Sequence, residues 1–369
     1  MEKLIVLVLE GEYRLTAAVL FCLSRDERMV VHMVSRDATS PFRYSRYVRS
    51  HHRQPQGEFD ADFVPFVQEV ATRTAAQVLL PIDVEGMRFC IAHHPALETA
   101  VRVLPLPSAH AYEIAADKSW LAGFMRRHDI PGPVTITNIG QHLPEQLAAL
   151  RFPVLLKPTG GEGGLGIELF REAGPLLERI AGLPQGAKYI IQTYLEGYDI
   201  DCNVLYKDGQ LLAYSVQRGL LPAANAYAPT QAIEFVHNEA VLAVVDRLMT
   251  ALRWNGVAHL DLRYDADSGA INVIEINPRF WLTVVGSAVT AKVNFPVLAC
   301  LAALNRPVAA RPFALGRYIP FNNFLKYKYL SRLRDKVRFT FGNTSLMSFL
   351  GDPLPKLFCL FNRHSVRIE

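Results

Sequence analysis

The stretch "HLDLRYDADSGAINVIEINPRF" (259–280) carries acids, an amide, a histidine and an arginine at spacings that suit cation and phosphate chemistry. Folded as a hairpin about Ser268, it sets Asp261 opposite Glu275 and His259 opposite Asn277. Residues two apart on a strand share a face, and opposed residues have Cβ atoms roughly 4.5–5.5 Å apart. Two carboxylates held that close repel unless a proton or cation lies between them. Oxygen ligands of this kind suit Mg²⁺, which takes one or two carboxylates together with substrate phosphates. Arg279, two residues beyond Asn277, has the planar fork that grips phosphate oxygens. The alternative is a strand ending in a proline turn with ordinary surface polarity, but the apolar flanks of Glu275 in "VIEI" argue against a casual charge.

A second stretch, "LLKPTGGEGGLGIELF" (155–170), contains G-x-G-x-x-G at Gly161, Gly163 and Gly166. A dinucleotide fingerprint needs a strand before it and a helix after it. Here "VLLK" precedes the glycines and the alternating "IELF" follows, so a second strand is expected where the helix should begin. Two strands joined by a glycine-rich loop make a flap whose backbone N–H groups can close over phosphates, with Lys157 beside them. No G-x-x-x-x-G-K-[ST] occurs, which excludes the common P-loop.

The elements that must position these groups follow a recognisable order. "KLIVLVL", "MVVHMVS" and "AQVLLPI" read as buried strands, with helical spacing in "YRLTAAVLFCLSR" and "FVPFVQEVATRTA" between them. That β-α-β-α-β series predicts a parallel, Rossmann-like sheet over residues 1–110, with ligands beyond the carboxyl ends of its strands. After the Pro-rich "VLPLPSAH" come one helix over "IAADKSWLAGFMRRHDIPGP" and a mixed α+β region. It includes a hairpin turning at Asp208-Gly209 and the amphipathic "NEAVLAVVDRLMTALRW". The fold class is therefore α/β, with an α+β body over 111–305 and an appendage over 306–369.

Composition narrows the function classes. The chain of 369 residues has a formal net charge of +4, too little to imply nucleic acid. The charge is uneven. Residues 311–369 hold eleven Lys/Arg against three Asp/Glu, while the 310 before them hold 28 against 32. Five scattered cysteines without C-x-x-C support neither a disulfide framework nor a zinc knuckle, and a reducing, cytoplasmic setting is expected. "MEKLIVLVLEGEY" is too short an apolar run for a signal peptide or a membrane span and reads as a first strand.

Taken in order, these motifs resemble the ATP-grasp superfamily, in particular its carboxylate–amine ligase branch, similar to carbamoyl-phosphate synthetase and biotin carboxylase. The resemblance covers roughly residues 1–305. It implies a pre-ATP-grasp domain over 1–110, a lid subdomain over about 118–188 and a C-terminal subdomain over about 189–305. "ADKSW" is similar to the segment supplying a first nucleotide-binding lysine, Lys118. "VLLKPTGGEGGLGI" is similar to the second, Lys157, with its loop at Gly160, Gly161, Gly163 and Gly164. "YIIQTYLEGYDID" resembles the hinge that clasps adenine through Gln192, Thr193, Tyr194 and Leu195, with Asp199 at the ribose-binding position. The metal segment implies Asp261, Glu275 and Asn277 as ligands of Mg²⁺ or Mn²⁺, and Arg279 as a phosphate or acyl-phosphate contact. Thr193 stands where many members have an acid, and Asp199 and Asp261 are aspartates where glutamate is commoner.

The resemblance implies ATP-dependent joining of a carboxylate to an amine through an acyl-phosphate, catalysed by Lys157 and Arg279. His259 faces the metal segment and is expected near the transferred phosphate or the substrate, with a structural histidine as the alternative. Arg218, after a strand of the nucleotide-binding region, is expected as a further candidate contact for phosphates or a substrate carboxylate. A phosphotransferase on the same fold and a non-catalytic nucleotide-binding protein are the competing readings. Expected partners are a small carboxylate and an amine, with no nucleic acid. A homodimer is the usual state for such enzymes. The tail stretch "NNFLKYKYLSRLRDKVRF" reads as a basic amphipathic helix for an anionic membrane or an acidic partner, or for packing on its own body.

Overall fold

The computed structural model describes residues 2–37, 39–54, 58–140, 142–160, 164–221, 230, 232–308, 312–330 and 339–361. Its first layer is a parallel sheet of β1 (Leu4–Leu9), β2 (Met29–Ser35), β3 (Val48–Arg53), β4 (Val78–Pro81) and β5 (Arg102–Val103), in the order β3-β2-β1-β4-β5. Helix α1 (Tyr13–Ser24) covers one face and α2 (Val64–Thr74) the other, which is why β1 is apolar on both faces. α3 (Val84–Ala92) and α4 (His94–Leu97) lead into β5. Two strands beyond the three expected flank this sheet. β3 is the polar "VRSHHR", an edge strand that needs only one partner and so lacks an apolar run.

The single helix expected over "IAADKSWLAGFMRRHDIPGP" is two, α5 (Ala109–Ala116) and α6 (Lys118–Arg127). Asp117 separates them because its side chain accepts from the backbone N–H groups of Ser119 and Trp120, capping α6. Next comes a four-stranded antiparallel sheet, order β6-β9-β7-β8, of β6 (Thr135–Ile136), β7 (Val154–Pro158), β8 (Glu168–Phe170) and β9 (Tyr189–Thr193). α7 (Leu143–Ala148) and α8 (Ala173–Ala181) pack on it. β7 and β8 pair antiparallel, Leu155 with Leu169, so a strand follows the glycines and the dinucleotide turn is excluded. Gly161 and Gly163 lie outside the described residues.

The largest layer is a six-stranded sheet, order β14-β13-β10-β11-β12-β15. Its strands are β10 (Gly197–Lys207), β11 (Gln210–Leu221), β12 (Ala232–Phe235), β13 (Gly256–Asp265), β14 (Ile271–Asn277) and β15 (Gly316–Tyr318). Asp208 and Gly209 turn the β10–β11 hairpin with φ of 50° and 76°, the left-handed pair such two-residue turns require. α9 (Glu239–Ala251), α10 (Val284–Val289) and α11 (Phe295–Ala303) cover its apolar face and continue into the core around α1. β15 adds residues 316–318, from the tract beyond 305, to this sheet through β12. α12 (Phe321–Leu330), α13 (Leu346–Gly351) and α14 (Pro353–Phe361) follow; most of the charged part of the tail stretch lies outside the described residues.

Candidate active site

On the inner face of the six-stranded sheet, period-two alternation lines up polar side chains. Gln217 (β11), Asp201 (β10), Asp261 (β13) and Glu275 (β14) form one rung across four strands. The neighbouring rung holds Ser215, Asn203, His259 and Asn277. The pairs are the ones expected, Asp261 opposite Glu275 and His259 opposite Asn277, reached through a register shift between Asp261 and Leu262, which itself pairs with Val273. Alternate residues such as Cys202, Leu260 and Ile276 point to the core.

The rung is bound together by short contacts. Asn277 Nδ2 donates to Asp261 Oδ2 at 3.2 Å, and His259 Nε2 lies 2.9 Å from Asp261 Oδ1. Gln217 Nε2 donates to Asp201 Oδ2 at 3.1 Å. Asn203 spends its Nδ2 on Ser215 Oγ and Gln217 Oε1, so its Oδ1, 2.6 Å from His259 Nδ1, is left to accept. Both ring nitrogens of His259 then donate, which is the charged imidazolium. Burial works against that charge, but the Asp261 carboxylate outweighs it and raises the His259 pKa. The ring also stacks on Trp281, with centroids 5.7 Å apart.

Carboxylates here sit in conflict. Burial, with the Asp261 charge beside them, pushes Asp201 and Glu275 up to about 7 each. Burial would raise Asp261 as well, but His259 holds it below the usual carboxylate range. One oxygen each from Asp201 and Asp261 and one nitrogen of His259 lie within 4.8 Å of one another. Asp201 and Gln217 were missed from the sequence; the alternation Asp199, Asp201, Asn203 in "DIDCN" is the signal that marks Asp201, and Gln217 follows from the β10–β11 pairing.

The facing elements bring positive charge. Lys118, at the first turn of α6, puts Nζ 2.9 Å from Glu275 Oε2, and its backbone N–H donates to Thr159 O at 3.1 Å. Lys157, buried on β7, donates to Gln192 Oε1 at 2.7 Å. Burial brings the Lys157 ammonium down to about 8. The buried Arg279 donates through NH1 to Phe280 O at 2.7 Å, and its NH2 lies 3.4 Å from Asn277 Oδ1. Gly160 leaves open space where a side chain would be, and Gly164 adopts a φ of 77°.

At the turn from β9 into β10, Arg263 gathers the chain. It donates to Leu195 O at 2.6 Å and to Asp199 Oδ1 at 2.5 Å, and lies 3.3 Å from the Tyr194 hydroxyl. Thr193 Oγ1 is buried without a hydrogen-bond partner, a polar atom left over in the hinge. Arg218 does not join this cluster. It pairs across the strands with Ile200, whose side chain is in the core, so it lies on the opposite face from the Gln217–Asp201 rung. There Glu234 binds it at 2.7 Å and binds Arg317 at 2.9 Å. The strand simply continues past Gln217, and alternation turns Arg218 away.

Residues 185–318 match the family model described as ATP-grasp in the biosynthetic pathway with Ter operon. The chain is 23% identical over 185 residues to the carbamoyl phosphate synthase large chain of Thermomicrobium roseum, covering 47% of this chain and 17% of that one. It is 23% identical over 273 residues to the D-aspartate ligase of Enterococcus faecium, covering 66% of this chain and 63% of that one. It therefore spans under a fifth of the first relative and under two thirds of the second. The fold is that of N5-carboxyaminoimidazole synthetase from Staphylococcus aureus complexed with ADP, with a TM-score of 0.66, 12% identity and coverage of 89% and 87%. With two lysines converging on an acidic rung and these likenesses in sequence and fold, residues 185–318 carry a match to an ATP-grasp domain, and the chain has the ATP-grasp fold.

Proposed function

We propose that the protein is an ATP-dependent ligase that joins a carboxylate to an amine through an acyl-phosphate. The observation that carries this reading is the rung Gln217–Asp201–Asp261–Glu275 facing Lys118 and Lys157 from separate elements. The donors suit Mg²⁺. They are hard oxygens, and Asp201 and Glu275 are raised by burial and by the Asp261 charge, a crowding of buried carboxyls that a cation would relieve. Asp261, Glu275 and Asn277 would hold the ion, with Asp201 beside them. When bound, Mg²⁺ neutralises charge on the phosphate oxygens.

The chain's own groups supply the rest. Lys157 and Lys118 place ammonium charges where the phosphates of ATP enter, and the hinge 192–195 offers backbone groups and the unpartnered Thr193 hydroxyl to the base. Arg279, fixed against Phe280 O, presents its fork to the transferring phosphoryl group. A substrate carboxylate oxygen bonds to the γ-phosphorus as ADP leaves. The amine nitrogen then bonds to the acyl carbon, phosphate leaves, and the amine gives up a proton. Catalysis is mostly positioning and preorganised charge. His259, with both nitrogens engaged, orients Asp261 and transfers no proton.

The test is ADP release from Mg-ATP with pooled carboxylic acids, with and without pooled amines, read by mass spectrometry. A product of acid plus amine less water, and a hydroxamate when hydroxylamine replaces the amine, is the expected result. ADP formation with acid alone and a stable phosphorylated product would establish the phosphotransferase instead.

A further inference from the structure

α13 and α14 carry apolar residues on two faces. The inner face is accounted for: Cys359 is buried, and Phe358 packs on Tyr44 at 5.2 Å between centroids. Asp352, between the helices, is taken up by the Ser45 hydroxyl and the Arg46 backbone N–H. The outer face is not needed for that docking. Met347 (59% exposed) and Leu350 (55%) on α13, and Leu354 (54%), Leu357 (39%) and Phe361 (85%) on α14, recur at intervals of three and four within each helix and stand open to solvent. Scattered exposed apolar residues need no explanation, but rows of them on two successive helices mark a surface that meets something apolar.

Charge says what that is. Asp352 is the lone acid in residues 339–361, and it is already bonded. The sequence on either side is basic, with Arg332, Arg334, Lys336 and Arg338 before the pair and Arg363 and Arg367 after it. Tyr44, which receives Phe358, lies under the guanidinium of Arg43. Arg43 in turn lines a cavity of about 430 Å³ with Arg49, Ser50, His51 and Arg53 of β3. Exposed apolar residues within a sequence flanked by cations are the composition of a segment that lies in the interface of an anionic bilayer. Among the described residues no helix is long and apolar enough to cross a membrane, so the contact is peripheral.

We infer that α13 and α14 dock this protein on anionic lipid. The exposed apolar residues from Met347 to Phe361 enter the acyl boundary, and Arg43, Arg49 and Arg53 of the cavity beside β3 meet lipid phosphates. The proposal is independent of the ligase reading. Its test is flotation of the full chain with phosphatidylcholine vesicles with and without 30% phosphatidylglycerol, beside its size-exclusion profile. Expected is at least tenfold stronger binding to the anionic vesicles, weakened at least tenfold between 50 and 300 mM NaCl. Leu354→Asp with Phe361→Asp, and separately Arg49→Glu with Arg53→Glu, should each reduce binding tenfold or more with the melting temperature unchanged. No binding to anionic vesicles, or binding that ignores both variants, overturns the proposal. So does a dimer that the Leu354→Asp/Phe361→Asp variant splits, since a second copy would then cover those residues.

Discussion

Removing one carboxylate from the acidic rung should make the metal-free protein less sensitive to alkali. Asp201 has its pKa raised by burial and by Asp261 from 3.8 to about 7. The folded state therefore holds a proton that the unfolded state has lost between those values, and stability falls as pH rises through that window. At pH 5.5, about 1.5 units below the folded value, the bound proton is worth about 2 kcal/mol at about 1.4 kcal/mol per unit; by pH 8 that contribution is gone. Glu275, raised for the same causes, acts in the same direction. Thermal or urea melts in EDTA at pH 5.5 and pH 8 should therefore show the wild type losing about 2 kcal/mol or more. Asp201→Asn, whose amide does not ionise, should lose about 2 kcal/mol less over the same interval. Because metal binding displaces the shared protons, 10 mM Mg²⁺ should stabilise the wild type more at pH 8 than at pH 5.5. A wild type equally stable at both pH values in EDTA, or a variant with the same pH slope, would refute the reasoning.

Other consequences are simpler to read. Lys157→Met should lower ADP formation about a hundredfold or more. In the wild type, nucleotide affinity by calorimetry should weaken above pH 8, because the ammonium brought down to about 8 by burial loses its proton there. Gly256→Ala should cost on the order of 3 kcal/mol in urea titration: its φ is 96°, and a Cβ would sit 2.3 Å from the carbonyl oxygen of Pro105. Arg218→Ala should leave ADP formation within about twofold and cost under about 1 kcal/mol, as expected for a partly solvated ion pair with Glu234; a large catalytic loss would return Arg218 to the site.

What could be read from the sequence depended on how local the physics was. The hairpin of β13 and β14 was legible from its turn, which is local, but the turn by itself pairs Leu262 with Val273; a register shift after Asp261 is what brings Asp261 against Glu275. The strand after the glycines was legible from alternation in "IELF". Asp201 depends on a different pairing, β10 with β13, strands separated by β11, β12 and α9, so no turn announces it. Alternation puts Arg218 on the face opposite Gln217, but which of the two faces carries the site depends on the pairing of β10 with β11 and β13, which the sequence around Arg218 does not show. β15 is three residues long and takes its strand character from β12 rather than from composition. The break before α6 was written locally, in Asp117, as a cap signal inside an otherwise helical pattern.

The two lysines belong to parts of the molecule with different cores. Leu121, Phe124 and Met125 of α6 pack into the main hydrophobic cluster, so Lys118 is anchored to the body that bears the acidic rung. Lys157 rises from β7, whose Val154 and Leu156 belong to a separate small cluster with Ile136, Leu143, Leu147, Leu176 and Ile191. A unit with its own core, joined to the rest by polar contacts, can shift without exposing much apolar surface. The named contacts across this boundary are of that kind. The Lys118 backbone N–H bonds to Thr159 O, and Arg263 reaches Leu195 O and the Tyr194 hydroxyl. Two ammonium groups brought near each other repel, and Lys118 is already held by Glu275 while Lys157 is turned to the neutral Gln192. On the proposed ligase reading, a polyphosphate between the sheets would answer both charges at once and so would favour whichever arrangement brings the two lysines together.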